Sequence, residues 1–255
     1  MRSILLALCA ALIGGGALLA AGATTPARLA APAATADAGD KGALGKRIRE
    51  YLIANPEVLV EAMQELERKQ DNQRDAVAQK AIRQHKAELL ADPDSPSSGN
   101  ANADVVIVDF NDYQCPYCKR AHQAVKQVVA ADGKVKVIYK DLPILGEPSR
   151  IAALAALAAV KQGKHLAFHD ALMETSAKLD RARILEIAAS VGLDVALLEK
   201  DMDDPKFKQL IDRNMALAGA LGVRGTPAFV IGDQFVPGAV DAAALKQLIA
   251  DARKR

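Results

Sequence analysis

The sequence predicts an α/β protein: a small sheet carrying a large helical insertion, with a helical stalk in front of it. Three observations carry that expectation. Two strand-like runs, DVVIVDF (104–110) and KVKVIYKDLP (134–143), flank a helix-length segment, the arrangement that parallel pairing by crossover requires. Residues 147–221 read as helical through SRIAALAALAAVKQG, HLAFHDALMETSAKL, RARILEIAASVG and VALLEKDMDD. TPAFVIGDQFVPGAV (226–240) then reads as a two-strand hairpin turning at Gly232-Asp233, and DAAALKQLIADARKR closes the chain as a helix.

Ahead of that domain, MRSILLALCAALIGGGALLAAGATT has Arg2, an uncharged apolar run from Ile4 to Ala20, and the small-residue triplet Ala21-Gly22-Ala23. This order is that of a secretory signal peptide over residues 1–23, cleaved after Ala23. A retained anchor is the competing reading, since a spanning helix needs only ~20 residues. The glycines from Gly14 to Gly16 and the small-residue site favour removal, and Cys9 is then lost with the signal. Residues 24–43, rich in Ala, Thr, Gly and Pro without apolar periodicity, read as a flexible leader.

Residues 44–90 are expected to be helical, with one break at Asn55-Pro56. Beyond the break Leu59, Met63, Leu66, Gln70, Gln73 and Val77 recur at alternating steps of four and three. This is heptad spacing with a sparse apolar seam, and it suggests a self-associating segment; an amphipathic helix packed on its own domain is the blander alternative. Residues 91–103, ADPDSPSSGNANA, read as a linker, and 104–255 as the catalytic domain. With 33 basic and 31 acidic side chains, a net charge of +2 leaves no electrostatic footprint for nucleic acid, which is not expected as a partner.

The chemistry is concentrated in DYQCPYCKR, residues 112–120. In an exported chain Cys115 and Cys118 are the only pair left, and a disulfide closing so short a loop removes little entropy from the unfolded chain, so stapling is a poor reading. At the start of a helix Cys115 meets unpaired N–H groups and the positive end of the dipole. Thiols so placed titrate at ~3.5–7.5 rather than ~8.5. Pro116 suits the first helical position, and Lys119 and Arg120 are expected to add positive charge. Cys118, one turn deeper, is placed to resolve a mixed disulfide formed at Cys115. His165 and His169 have plausible ligand spacing for zinc, but Leu166 and Phe168 between and beside them suggest ordinary packing; His85 and His122 are expected at the surface. Soft-metal binding, copper included, by the two thiolates stays open as a secondary property.

VDFNDYQCPYCKR together with VRGTPAFVIG resembles the exported DsbA-like branch of the thioredoxin superfamily, and YLIANPEVLVEAMQELERKQ is similar to the N-terminal segment of its ScsC-type and Com1-type members. The resemblance implies a thioredoxin fold with a helical insertion. It implies Cys115 as nucleophile, Cys118 as resolving thiol, and Thr226-Pro227 as a cis-proline loop that faces the disulfide and presents backbone to a bound peptide. Asp109 takes the place of the buried acid that moves protons for the deeper cysteine, with Lys140 as its partner. Tyr117 stands where the strongest oxidases of the branch have histidine, so an extreme oxidising potential is not implied. No metal or cofactor is expected beyond the redox-active Cys115–Cys118 pair. The implied partners are cysteine-containing exported client proteins, a membrane protein that keeps the dithiol reduced, and further copies of the chain, a trimer being favoured. The expectation is a periplasmic thiol-disulfide oxidoreductase acting as isomerase or reductase; a monomeric dithiol oxidase and a copper-stress protein using the same cysteines are the alternatives. Deletion of residues 44–90 is expected to abolish isomerase activity and to leave a dithiol oxidase.

Overall fold

The computed structural model describes residues 38–254. The expected signal peptide, Cys9 and the expected leader as far as residue 37 lie outside them. Two compact units divide at Val60/Glu61.

The first unit holds helix α1 (Ala38–Ala54) and the start of α2 (Glu57–Gln84). Their break falls at Asn55-Pro56, as expected, where the Asn55 side chain donates to the Tyr51 carbonyl at 2.8 Å. Helix α1 starts earlier than the leader reading allowed. Residues 38–43 continue the helix although Gly39 and Gly42 disfavour it, since no proline interrupts the run before the break. Leu44, Ile48, Tyr51, Ile53, Leu59 and Val60 are all exposed.

In the second unit the sheet runs β1 (Ser97–Gly99), β3 (Val135–Asp141), β2 (Val105–Asn111), β4 (Ala228–Ile231), β5 (Gln234–Pro237). Strands β2 and β3 pair in parallel, with Val105 opposite Val135 and Asn111 opposite Asp141. Antiparallel β4 lies on the other side of β2, and β5 closes the hairpin, with Gly232 at φ 63° in its turn. One face packs on α4 (Pro116–Asp132) and α10 (Ala242–Ala252), through Ile107, Val125, Val128, Val137, Phe229 and Leu245.

The opposite face corrects the expected domain boundary. Ala81 and Ile82 of α2 and Leu89 of α3 (Lys86–Leu90) are buried with Val108, Phe110, Leu217 and Val230. The end of the stalk is therefore core, because this face of the sheet needs an apolar cover that α9 (Pro205–Ala220) supplies only in part. Nor is 91–103 a free linker. Ser97–Gly99 forms β1, antiparallel to β3, with Ser97 opposite Ile138. This strand is made by backbone pairing, so hydrophobic patterning gave no sign of it. Gly99 is required there: its φ is 84°, and a Cβ would strike the Val135 carbonyl oxygen.

The insertion folds as α5 (Glu147–Ala158), a 3₁₀ turn (Ala159–Gln162), α6 (His165–Glu174), α7 (Arg181–Ser190), α8 (Val195–Met202) and α9. Asp180, Asp194, Asp204 and Asp241 each accept a backbone N–H in the first turn of α7, α8, α9 and α10, a cap worth ~1 kcal/mol apiece. The buried alanines of α5 let Phe168, Leu172, Ile184 and Leu198 close around it. Tyr113, Cys115 and Cys118 belong to this same core, so the insertion forms one wall of the cysteine site. Among the described residues no helix is long and apolar enough to cross a membrane.

Candidate active site

Cys115 is the N-cap of α4, with extended backbone (φ −76°, ψ 117°) and Pro116 next in the first turn. Proline fits because that position has no intrahelical use for an N–H. The Cys115 thiol donates to the Thr226 carbonyl at 3.2 Å, and the Thr226–Pro227 peptide is cis, as expected. Helix and hairpin, 111 residues apart in sequence, thus meet at one sulfur. Both cysteines are free thiols and both are buried. Cys118 sits one turn further along α4, where its sulfur accepts the Asp112 N–H at 3.5 Å. Burial pushes its thiol well up from the ordinary range, and the nearby charge of Asp109 adds to the shift.

Asp109 is buried in β2, opposite Tyr139 and Phe229. Burial, aided by the charge of Asp141, raises its carboxyl to about 7, and its Oδ1 has no hydrogen-bond partner. The expected pairing with Lys140 does not occur. Lys140 is in register with Phe110, one step from the Asp109–Tyr139 pair, so alternation turns it to the opposite face. Its Nζ donates there to the Glu88 carbonyl at 2.8 Å, Ser95 Oγ at 2.8 Å and Asp92 Oδ2 at 3.0 Å.

Sequence reasoning missed three residues beside the cysteines. Asp141, at the end of β3 and so on the Asp109 side of the sheet, is a second buried acid: burial raises it to about 7, against the opposing pull of the Asn111 and Tyr113 side chains beside it. The period-two spacing of 135, 137, 139 and 141 was the available signal. Asp112 ties two loops together: Oδ1 accepts from Gln114 N (2.8 Å) and Ser149 Oγ (2.7 Å), and Oδ2 from Ile144 N (2.9 Å) and Leu145 N (3.0 Å). Tyr113, two residues before Cys115, is fully buried with its hydroxyl 2.9 Å from His169 Nδ1.

The expected cationic surround is largely redirected. Lys119 Nζ donates into the insertion, to the carbonyls of Leu172 (3.1 Å) and Thr175 (2.6 Å), away from Cys115. Arg120 lies 4.5 Å over the ring of exposed Tyr117. These two line a groove of about 730 Å³ together with Ala121, Gln127, Pro227 and Val240. His122, expected at the surface, is buried instead, because it follows Cys118 by four and precedes Val125 by three on the inner face of α4. His165 and His169 are also buried, while Leu166, read as packing, is exposed.

Residues 106–250 match the DSBA-like thioredoxin domain, and residues 40–73 match the Copper resistance protein ScsC N-terminal domain. Among solved structures, a thioredoxin-like oxidoreductase from Silicibacter pomeroyi DSS-3 is 47% identical, covering 66% of this chain and 98% of that one, with a TM-score of 0.65. Proteus mirabilis ScsC, in a transitional conformation, is 33% identical, covering 84% and 97%, with a TM-score of 0.64. The thiol-disulfide exchange protein α-DsbA2 from Wolbachia pipientis is 36% identical, covering 70% and 97%, with a TM-score of 0.66. Curated relatives include the Na(+)/H(+) antiporter NhaA 3 of Salinispora tropica, 30% identical over 143 residues, 55% of this chain and 22% of the other. The chain spans about a quarter of the length of such antiporter relatives. A thiol at a helix start thus faces the Thr226 carbonyl just before a cis-proline, with an acid buried in the neighbouring strand, on a fold that these solved structures share: the chain belongs to the DSBA-like thioredoxin domain family, with an ScsC-type N-terminal domain ahead of it.

Proposed function

We propose that the chain is a periplasmic thiol-disulfide oxidoreductase that reduces and isomerises the disulfides of exported client proteins through Cys115 and Cys118. The carrying observation is the contrast between the two sulfurs. Cys115 caps α4 and touches the Thr226 carbonyl, whereas Cys118 is sealed beneath it with its thiol pushed up by burial. A nucleophile and a resolving thiol need this inequality.

The Cys115 thiolate attacks one sulfur of a client disulfide; the client S–S bond breaks, a mixed disulfide forms, and one client thiolate leaves. In isomerisation that thiolate, or another of the client's, attacks the mixed disulfide and restores Cys115. In reduction Cys118 gives its proton to Asp109 and attacks the Cys115 sulfur, which releases the second client thiolate and leaves the Cys115–Cys118 disulfide. The client gains two electrons and the enzyme loses two. A carboxyl raised to about 7 is matched to accept and return that proton near neutral pH. The groove beside Pro227 is where the client's extended backbone rests. Exposed apolar residues of α1 and α2 support self-association, with a trimer favoured by likeness to the ScsC type. A membrane reductant then returns the disulfide to the dithiol.

The test is scrambled, multiply disulfide-bonded ribonuclease incubated with the mature chain. Wild type should restore ribonuclease activity and Cys115→Ser should not, while Cys118→Ser should accumulate a mixed disulfide with the client on a non-reducing gel. Wild type no faster than Cys115→Ser would sink the reading. Stoichiometric Cu(I) capture without any exchange would favour copper sequestration by the same thiols.

A further inference from the structure

We propose that His122, His169 and Asp170 form a binding site for a divalent cation of the Zn²⁺ class, separate from the two thiols. His122 projects from α4, while His169 and Asp170 are consecutive on α6. One nitrogen of each ring and one oxygen of Asp170 lie within 4.8 Å of one another. His122 Nε2 and Asp170 Oδ1 are 3.4 Å apart. Donors ~2.0–2.1 Å from a tetrahedral zinc stand ~3.4 Å from each other, so this pair already has the required separation.

The two imidazoles pack edge to face, with ring centroids 5.2 Å apart. Both are buried, and apart from the 3.4 Å approach of Asp170 Oδ1 to His122, Nε2 of each has no hydrogen-bond partner. A polar nitrogen left so costs free energy that a bound cation recovers. On His169 the other nitrogen, Nδ1, is engaged by the Tyr113 hydroxyl at 2.9 Å. Such a contact orients a metal-ligating ring and leaves Nε2 to the metal. Burial also lowers the pKa of both histidines, which keeps them in the neutral form that a metal requires. Asp170 divides its two oxygens: Oδ2 pairs with Lys126 at 3.1 Å, while Oδ1 faces His122.

A cavity of about 220 Å³, lined in part by Ser98, Tyr139 and Leu166, reaches His122 and Asp170 and leaves room for an entering ion and a water as fourth ligand. Two imidazoles and a carboxylate suit Zn²⁺ better than Cu(I), which favours sulfur. The site is thus chemically distinct from anything the thiolates would hold.

The experiment is competition for Zn²⁺ against a chromophoric chelator, using the mature chain with both Cys115→Ser and Cys118→Ser so that sulfur cannot bind. The expected result is about one Zn²⁺ per chain, with affinity falling roughly tenfold or more in His122→Gln and in Asp170→Asn. Co²⁺ in place of Zn²⁺ should show visible ligand-field absorption without a thiolate charge-transfer band. Asp170 is partly exposed, so Asp170→Asn decides the matter if circular dichroism shows His122→Gln unfolded. No uptake above buffer by the cysteine-free chain, or undiminished affinity in the folded variants, overturns the proposal.

Discussion

At the residue scale, the buried acids make the sharpest prediction. Asp109 and Asp141 both have carboxyls raised to about 7, against an unfolded value of 3.8. Between those values the native state binds more protons than the unfolded chain, so stability falls as pH rises from about 4 to 7 and is level above. Asp109→Asn should therefore be more stable than wild type at pH 8, by as much as ~4 kcal/mol, with the gain vanishing below about pH 4. Thermal melts across that range check it. The same substitution should slow the Cys118 step, seen as a longer-lived mixed disulfide, and equal lifetimes in both forms would remove Asp109 from proton transfer. The two cysteines were legible in the sequence from their local spacing, whereas the cis-proline and the buried acid were implied only by resemblance to the DsbA-like family. Asp141 and Asp112 were not, since their neighbours come from a parallel strand and from loops far along the chain. Lys140 was misread because a plausible charge partner was inferred without applying the strand's alternation.

At the scale of elements, α2 has two ends with different tasks. Met63 and Leu66 are exposed seam residues, whereas Ala81 and Ile82, and Leu89 just beyond, are core. Replacing Met63 and Leu66 by lysine should dissolve the assembly, read by light scattering as a fall to the monomer mass. The melting temperature of the catalytic domain should hardly move, since substitutions at exposed sites cost within ~0.5 kcal/mol. A variant that keeps the wild-type mass would disprove the seam. A deletion through residue 90 is a poor probe of the same idea, because Ile82 and Leu89 go with it and burying such side chains is worth ~2–5 kcal/mol each. Removing residues 44–73, close to the span of the ScsC-type domain, spares that core. The helix α2 was readable from its apolar period, while β1 was not, because Ser97–Gly99 contributes backbone pairing and almost no apolar burial.

For the molecule as a whole, the direction of exchange is set by what surrounds the dithiol. Several copies joined through their stalks would present several Cys115 thiols to one misfolded client at high effective concentration, and would hinder an oxidase from reaching any of them. The chain lacking 44–73 should then lose isomerase activity on scrambled ribonuclease and gain dithiol oxidation of a reduced peptide. A truncated form that isomerises as well as the intact protein would place the activity in the domain alone. The short strand β1 has a further consequence if the chain handles unfolded clients as proposed. It covers the free edge of β3 with three residues, and the opposite edge, β5, has four and ends at Pro237. Little unpaired backbone remains for a sticky, extended polypeptide to zip onto, so this sheet is a poor template for co-aggregation with misfolded chains.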